Sequence, residues 1–381
     1  QKAILEHPNA RKQIDKRALY EYFTFQNIFT NRTLLKNIKL LQPASIGKIQ
    51  YGKNKNLIVR HYWDYHFEEP KNFEDRYEYE DELNRLVKQA VYRQLVSDVE
   101  LGSYLSGGMD SGTITAIASK QLPYMKTFTC GFDLSSASGL ELAYDERKKA
   151  EAMSAIFKTE HYEMVLKAGD MERCLGTLAY YLEEPRVGQS YPNYYAAQLA
   201  SKFVKVVLSG SGGDELLGGY PWRYYRAAVN HSFEDYINKY YSFWQRLIPS
   251  KEIKNVFQPI WNDVKDVCTK DIFKSVFSNH ENQLKSSEDY INHSMYFEAK
   301  TFLHGLLVVE DKLSMSHSLE TRVPFLDNDL VDFALKCPVK FKLNNLTNLI
   351  NVNENDPWSK KSKYFKKSND GKQILRNVMK N

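Results

Sequence analysis

The chain has 381 residues, and 43% of them are hydrophobic, which is enough to bury sizeable cores and excludes global disorder. At about 100–200 residues per domain, this length predicts two domains. The 52 basic and 47 acidic residues leave a net charge of only +5, which argues against nucleic-acid binding, because nucleic-acid binders concentrate positive charge.

The first 70 residues contain elements that look incomplete. A helix is predicted at 16–23, followed by short extended fragments at 46–51 and 56–62. Their apolar residues have too few partners to form a core. We therefore expect them to belong to a larger domain whose earlier part lies outside this sequence, with a boundary at Pro70 and Lys71.

From residue 71 onward, strands and helices alternate along the sequence. An amphipathic helix at 81–96 is expected to bury residues spaced three and four apart, among them Leu83, Leu86 and Val87. Strands are then predicted at 101–105, 125–132, 160–166 and 204–208, and helices at 111–120, 140–156, 169–182 and 194–203. This alternation predicts an α/β fold with a doubly wound, mostly parallel sheet. After Tyr220 the pattern becomes almost wholly helical.

A glycine-rich loop, Ser-Gly-Gly-Met-Asp-Ser at 106–111, lies between a predicted strand and a predicted helix. Open parallel sheets bind ligands at this edge. The two glycines let the backbone approach phosphate oxygens, Ser106 and Ser111 add hydroxyl donors, and the helix presents free N–H groups. Asp110 is suited to holding Mg²⁺ against phosphates. The setting favours nucleotide binding over an ordinary glycine-rich turn, although the GxxxxGK[ST] loop of other nucleotide hydrolases does not occur.

Two further motifs follow. Residues 208–220, Leu-Ser-Gly-Ser-Gly-Gly-Asp-Glu-Leu-Leu-Gly-Gly-Tyr, come after the fourth strand, and Asp214 could be a second Mg²⁺ carboxylate or a helix cap. In residues 310–327 we expect a helix ended by Pro324, with a buried ion pair between Glu320 and Arg322. His317, in the same stretch, is interpreted as a packing residue.

The three motifs together resemble one family. The loop at 106–111 is similar to that of the PP-loop ATP pyrophosphatases, which cleave ATP between its α- and β-phosphates. The second motif resembles S-G-[ED]-G-x-D-E-x-x-G-G-Y, and the third resembles D-[KR]-x-S-M-x-x-S-L-E-x-R-V-P-F-L-D, both of the glutamine-hydrolysing asparagine synthetases. Residues 18–23 and 31–38 look like the end of that family's amidotransferase domain. The resemblance implies a remnant of an N-terminal α+β glutaminase-like domain at 1–70 and a synthetase domain with an incomplete tail at 71–381.

In that family, a carboxylate substrate, aspartate, is adenylated by ATP with release of pyrophosphate, and ammonia derived from glutamine then displaces AMP. The resemblance implies ATP and Mg²⁺ as cofactors, with Asp110 and Asp214 as the metal-binding residues. Nine residues are expected to contact the nucleotide: Leu105, Ser106, Gly107, Gly108, Asp110, Ser111, Cys130, Ser209 and Gly210. Catalytic roles are expected for Ser211, Glu320 and Arg322.

Three departures from the family pattern limit this interpretation. The chain starts at Gln1 and has no N-terminal nucleophilic cysteine, so we expect a missing glutaminase segment. Ser211 stands where the family has an acidic residue, and a hydroxyl is not a comparable base at neutral pH. The lysine of the family's K-x-G-F loop would come after the chain's last residue, and Lys372 is predicted to be an ordinary surface residue.

Other readings stay open or are disfavoured. The same adenylation could serve a sugar uronate, a peptide or amino-acid derivative, or an intramolecular amine, with the segment 183–190 setting specificity and Arg186 clamping a substrate carboxylate. The modest charge argues against a tRNA-modifying enzyme, and the lysines at 360, 361 and 363 are interpreted as a solvated face. Asp110 and Asp214 argue against an inactive binding module, whereas Ser211 and the short C-terminus keep that alternative open. A homodimer is left open.

Location is predicted from the cysteines and the apolar runs. The four cysteines are far apart and form no CxxC pair, so no zinc or redox site is expected, and we interpret them as buried thiols in a reducing compartment. We find no signal peptide, and apolar runs such as 302–309 are much shorter than the roughly 20 residues that span a bilayer. A cytoplasmic protein without membrane contact is expected.

Overall fold

The computed structural model describes residues 1–50, 57–71, 75–136, 145–186, 190–278, 284–344 and 370–380. The lysine cluster at 360–363 and residues 187–189 of the predicted specificity segment lie outside these ranges. No helix in the described ranges is both long and apolar enough to cross a bilayer.

A five-stranded parallel sheet forms the centre of the fold. Its strands are β3 (Leu101–Tyr104), β4 (Lys126–Phe132), β5 (Glu160–Leu166), β6 (Val206–Leu208) and β7 (Glu320–Arg322). Their spatial order is β5-β4-β3-β6-β7, and every neighbouring pair is parallel. After β3, the chain adds β4 and β5 on one side of it, and then adds β6 and β7 on the other side. The boundary between β3 and β6 is therefore the point at which open α/β sheets form ligand clefts.

The four predicted strands are confirmed, and β7 is an addition. A continuous helix up to Pro324 was expected, but the helix ends at Met315, and Glu320–Arg322 pairs with β6. The strand is only three residues long and has no alternating pattern of its own. It forms because β6 leaves one edge of the sheet open, which cannot be read from the local sequence.

Helices cover both faces of the sheet. Six helices accompany the sheet up to Leu217, and they are numbered after two helices of the N-terminal segment. They are α3 (Arg76–Gln94), α4 (Met109–Ala118), α5 (Arg147–Phe157), α6 (Asp170–Leu182), α7 (Ser190–Ser201) and the short α8 (Gly213–Leu217). Helix α3 begins at the capping residue Asp75, whose side chain accepts from the amide of Tyr77, and buries its predicted apolar face. That face joins residues of β3 and α4 in one core.

The part of the chain after Tyr220 is helical, as predicted. It contains α9 (Pro221–Tyr224), α10 (Phe233–Trp244), α11 (Ser250–Val256), α12 (Trp261–Val264), α13 (Thr269–Ser275), α14 (Ser287–Phe297), α15 (His304–Met315), α16 (Asn328–Lys336), α17 (Val339–Lys342) and α18 (Gln373–Val378). A π-helical stretch, Glu298–Leu303, joins α14 to α15. Aromatic side chains form much of this core, including Tyr240, Trp244 and Phe297. Helix α15 packs against α6, α7 and β7, which holds it beside the sheet.

The N-terminal segment combines buried and exposed parts. It contains α1 (Lys2–Leu5), α2 (Lys16–Phe25) and an antiparallel pair, β1 (Ser45–Ile49) and β2 (Leu57–His61). Helix α2 packs into the helical part, where the Tyr20 ring lies 5.0 Å from that of Phe257. The β1–β2 pair is almost wholly exposed. The division into domains at residue 70 stays a prediction.

Arg186 ties this segment to the rest of the fold. Its guanidinium lies 2.6 Å from Glu184, and both side chains are 1% exposed. It also donates to the carbonyl of Ile28 at 3.0 Å, and Glu184 accepts from the amide of Leu34 at 3.1 Å. The prediction that Arg186 clamps a substrate carboxylate is therefore wrong, because its hydrogen bonds are used inside the protein.

We expect Arg186→Ala to lower the free energy of unfolding by about 3–5 kcal/mol, because Glu184 would stay buried without its counter-charge. Urea denaturation followed by tryptophan fluorescence measures the change. The matched control is Arg85→Ala, whose pair with Glu82 is 58% and 43% exposed and should contribute about 0–1 kcal/mol. Equal losses in the two variants would contradict the structural role of Arg186.

Candidate active site

The loop at 106–111 is held in shape by its own hydroxyls. The amide of Ser106 donates to Oγ of Ser111 at 3.1 Å, and the two Oγ atoms lie 3.0 Å apart. Gly107 has φ +69°, in the left-handed region where a side chain would be strained. Gly108 then caps α4, so the first amides of the helix point to the cleft between β3 and β6. This is an anion-binding arrangement.

The second loop, residues 209–213, packs directly on the first. A β-carbon on Gly210 would lie 3.0 Å from both Cβ of Asp110 and the amide nitrogen of Ser111. A side chain at this position would push the two loops apart by a few tenths of an ångström. The loop ends at α8, whose first turn carries Asp214. Two loops from neighbouring strands therefore bring their carboxylates to one place.

Lys372 lies between these carboxylates. Its Nζ is 2.5 Å from Oδ2 of Asp110 and 2.5 Å from Oδ1 of Asp214. The lysine is 8% exposed and precedes α18, with φ 54°. The prediction of an ordinary surface role for Lys372 is wrong. The local sequence shows a polar, lysine-rich stretch, whereas the fold places this one ammonium between two acids.

The protonation of this cluster follows from burial and charge. Burial raises the pKa of Asp110 above its usual range, and the neighbouring Asp214 adds to this, while the ammonium of Lys372 opposes it. Burial disfavours the Lys372 ammonium, but Asp110 and Asp214 outweigh that effect and raise its pKa. The lysine is therefore charged at neutral pH.

The two carboxylates fit a Mg²⁺ ion that is bound together with a nucleotide. In the described ranges, no three His, Cys, Asp or Glu side chains converge as an all-protein metal site. Mg²⁺ does not need one, since it is usually held by one or two carboxylates, phosphate oxygens and water. Oδ1 of Asp110 is buried and accepts no hydrogen bond from any described residue, so it is an oxygen available to a cation.

Ser211 binds a carboxylate that sequence reasoning missed. Its hydroxyl donates to Oε2 of Glu310, on α15, at 2.6 Å, and it lies 3.2 Å from Oγ of Ser209. Burial raises the pKa of Glu310, and the hydroxyls of Ser209 and Ser211 oppose that shift. Glu310 is the first residue of the third motif. It lies 99 positions from Ser211, and nothing in a single sequence indicates that the two side chains are in contact.

Leu105 and Cys130 lie at the same edge of the sheet. The amide of Leu105 donates to the carbonyl of Phe128 at 2.9 Å, and its carbonyl accepts from the hydroxyl of Thr129. Cys130 pairs with Met164 of β5, and burial raises the pKa of its thiol to about 12. Contact of either residue with a nucleotide stays a prediction.

The carbonyl of Arg322 accepts from the amide of Ser209 at 2.8 Å, so the end of β7 adjoins the second loop. The contacts of the Glu320 and Arg322 side chains lie elsewhere. Their side chains pair at 2.7 Å, but Glu320 is 57% exposed, so the predicted buried ion pair is wrong. Arg322 also donates to the carbonyl of Gln94, the last residue of α3, and to that of Val96, both at 2.7 Å. These contacts fix the edge strand to a helix, and they give no support to a catalytic role.

Comparisons with known proteins point to one family. The family model described as asparagine synthase matches residues 82–381. A protein of Mycobacterium tuberculosis is 28% identical over 374 residues, which is 88% of this chain and 54% of that protein. Two Bacillus subtilis proteins named asparagine synthetase [glutamine-hydrolyzing] 1 and 3 are 28% and 29% identical, over 88% and 90% of this chain and 55% of each of theirs. The chain spans about half the length of the curated relatives it matches.

Lys372→Met should destabilise the protein by about 3 kcal/mol or more at pH 8, because the buried Asp110 and the partly buried Asp214 would lose their counter-charge. The loss should shrink towards pH 5. Without the ammonium the pKa of Asp110 rises further, and a raised carboxyl pKa favours the folded state at low pH and weakens it as pH rises. Thermal denaturation across this pH range measures both effects.

The double variant Lys372→Met/Asp110→Asn should recover much of the lost stability, since it removes one of the two negative charges. Lys16→Met serves as the surface control, because the pair of Lys16 with Asp263 is 43% and 51% exposed. A loss in Lys372→Met that neither pH nor Asp110→Asn reduces would rule out charge compensation as the role of this lysine.

Proposed function

Because the chain belongs to the asparagine synthase family, we propose that it is the synthetase part of an ATP-dependent amide-forming ligase. A carboxylate substrate is adenylated with release of pyrophosphate, and ammonia then displaces AMP. The observation that carries this proposal is the convergence of two glycine-rich loops and Lys372 at the cleft between β3 and β6. A carboxylate is a poor electrophile, and its AMP ester supplies the leaving group that amide formation requires.

The loop at 106–111 holds the pyrophosphate part of ATP through backbone amides and the hydroxyls of Ser106 and Ser111. Asp110 and Asp214 would hold Mg²⁺, which supplies positive charge against the leaving pyrophosphate. Lys372 adds a second positive charge at the same place. Its ammonium has three N–H donors, so it can serve a phosphate oxygen besides the two carboxylates.

Aspartate is the first candidate for the acyl substrate, since the Bacillus subtilis relatives are named asparagine synthetases. Their names also give glutamine as the source of ammonia. We propose that glutamine hydrolysis belongs to another part of the full-length protein, and that the synthetase part receives free ammonia in the cytoplasm.

A second candidate keeps the adenylation but changes the substrate to a sugar uronate, a peptide or an amino-acid derivative. Ser211 favours it, because this hydroxyl stands where the family resemblance expects an acid. Arg186 gives it no support, since its buried pair with Glu184 leaves no clamp for a second carboxylate.

Exchange of labelled pyrophosphate into ATP tests both candidates. The protein is incubated with ATP, Mg²⁺ and, in turn, aspartate, glutamate, glucuronate or a peptide carboxylate. Exchange driven by aspartate alone selects the first candidate. Exchange driven by another member of the panel selects the second. Absence of exchange with the whole panel counts against the proposed function.

Asp110→Asn should abolish pyrophosphate exchange, by about 100-fold or more, because it removes a carboxylate from the proposed metal site. Its melting curve should stay cooperative. A matched control is Asp235→Asn, a partly exposed first-turn acid of α10 whose side chain pairs with Lys239. Exchange in Asp110→Asn at the level of Asp235→Asn would contradict the metal assignment.

A further inference from the structure

The carboxylates of Asp110, Asp214 and Glu310 lie around the two glycine-rich loops, and Glu310 differs from the other two. Asp110 and Asp214 share the ammonium of Lys372. Glu310 has only hydroxyl partners among the described residues, namely Ser211 and Ser209. Of these three carboxylates, Glu310 is the one whose partners among the described residues include no cation.

The fold holds Glu310 in place from both sides. Its helix, α15, packs against α6, α7 and β7. Two residues further along, Lys312 donates to the carbonyl of Leu182 at 2.7 Å and pairs with Glu183 at 2.8 Å. The Glu310 carboxylate accordingly meets the second loop at a fixed point, 2.6 Å from Ser211 Oγ. That loop touches Asp110 through Gly210, so Glu310 borders the nucleotide site without contacting its cationic centre.

The second half of the proposed reaction needs a proton acceptor. When ammonia attacks the acyl carbon of the adenylate, the nitrogen becomes positive and must lose a proton before a stable amide forms. Bulk water is a poor choice of proton acceptor, because water admitted to the site would also hydrolyse the adenylate. A carboxylate whose proton affinity is raised by burial is a more effective base near neutral pH than an exposed one.

We propose that Glu310 is the general base of the amide-forming step and that Ser211 positions it. The lone pair of ammonia forms the carbon–nitrogen bond, and the bond from the acyl carbon to the phosphate oxygen breaks, its electrons leaving with AMP. One N–H proton passes to the Glu310 carboxylate and from there to solvent. This inference rests on the proposed function. In it, Glu310 on α15 supplies the carboxylate that the family pattern has at position 211 of the loop.

The substitution Glu310→Gln separates this role from adenylation. The carboxylate of the panel that drives the strongest exchange is used, with ammonium chloride as the nitrogen source. Amide formation should fall about 10²- to 10⁴-fold, which is the usual contribution of a general base. Pyrophosphate exchange should change little, since Glu310 is not needed to form the adenylate. Wild-type protein that shows no exchange would contradict the proposed function, and with it this inference.

Hydroxylamine distinguishes a base from a structural support. It is unprotonated at neutral pH and attacks acyl adenylates readily, so it depends less on a protein base than ammonia does. Glu310→Gln should therefore form hydroxamate at close to the wild-type rate while amide formation is lost. If hydroxamate and exchange fall as far as the amide does, Glu310 supports the loop structurally and the proposal is overturned.

A relocated carboxylate gives a second test that does not depend on one variant folding well. The double variant Ser211→Asp/Glu310→Gln places a carboxylate on the loop at position 211, close to the position of the Glu310 carboxylate in the wild-type protein. Amide formation should recover at least tenfold over Glu310→Gln. Glu172→Gln, on the exposed first turn of α6, removes a carboxylate from a helix that packs on α15 and should leave both reactions unchanged.

The pH profile completes the test. In the wild-type protein, amide formation should fall as pH is lowered through the pKa of Glu310, because the protonated acid cannot accept a proton. Asp110 lies in the same cleft and has a raised pKa. The rate of amide formation is therefore divided by the rate of pyrophosphate exchange at each pH, which removes the effect of Asp110 on adenylation. An acidic limb that persists unchanged in Glu310→Gln, after this correction, would assign the limb to another group and overturn the proposal.

Discussion

The ammonium of Lys372 between Asp110 and Asp214 is the interaction on which the site depends. Without it, the buried Asp110 and the partly buried Asp214 would lie close together with no counter-charge, and like charges repel. The sheet topology forces them together, because β3 and β6 are neighbours and each ends in a loop that carries one of the acids. A cation must therefore be present, and the chain supplies one from its far end.

This arrangement explains why so much glycine surrounds the acids. The loops have to pass within van der Waals contact of each other, so Gly210 takes the place where any side chain would meet Asp110. The same close approach brings Ser211 to α15, and the Ser211–Glu310 hydrogen bond follows from it. The close packing of the two loop backbones thus determines that Asp110 lies near Asp214 and that Ser211 lies near Glu310.

The sequence predicted most of the sheet and both loops, because short buried strands followed by glycine-rich turns have strong local signatures. It failed wherever a contact joins distant parts of the chain. Lys372 looks like a surface residue until α18 is docked, and Glu310 looks like one more acid on a helix. Arg186 shows the opposite error: an arginine in a loop between helices suggested a ligand contact, but the N-terminal segment buries it. The exposed Glu320–Arg322 pair could not be foreseen because β7 exists only as an edge to β6.

The β1–β2 pair has a practical consequence for purification and storage. Two strands alone are marginally stable, and here Ile46, Ile49, Leu57, Ile58 and Val59 are each at least half exposed. Within the described part of the chain neither strand pairs with a third, and an apolar ribbon with unpaired edges is a template for pairing between molecules. In concentrated solutions of this polypeptide, self-association is expected to begin at that ribbon. Charged residues introduced there would improve colloidal behaviour without touching the cleft.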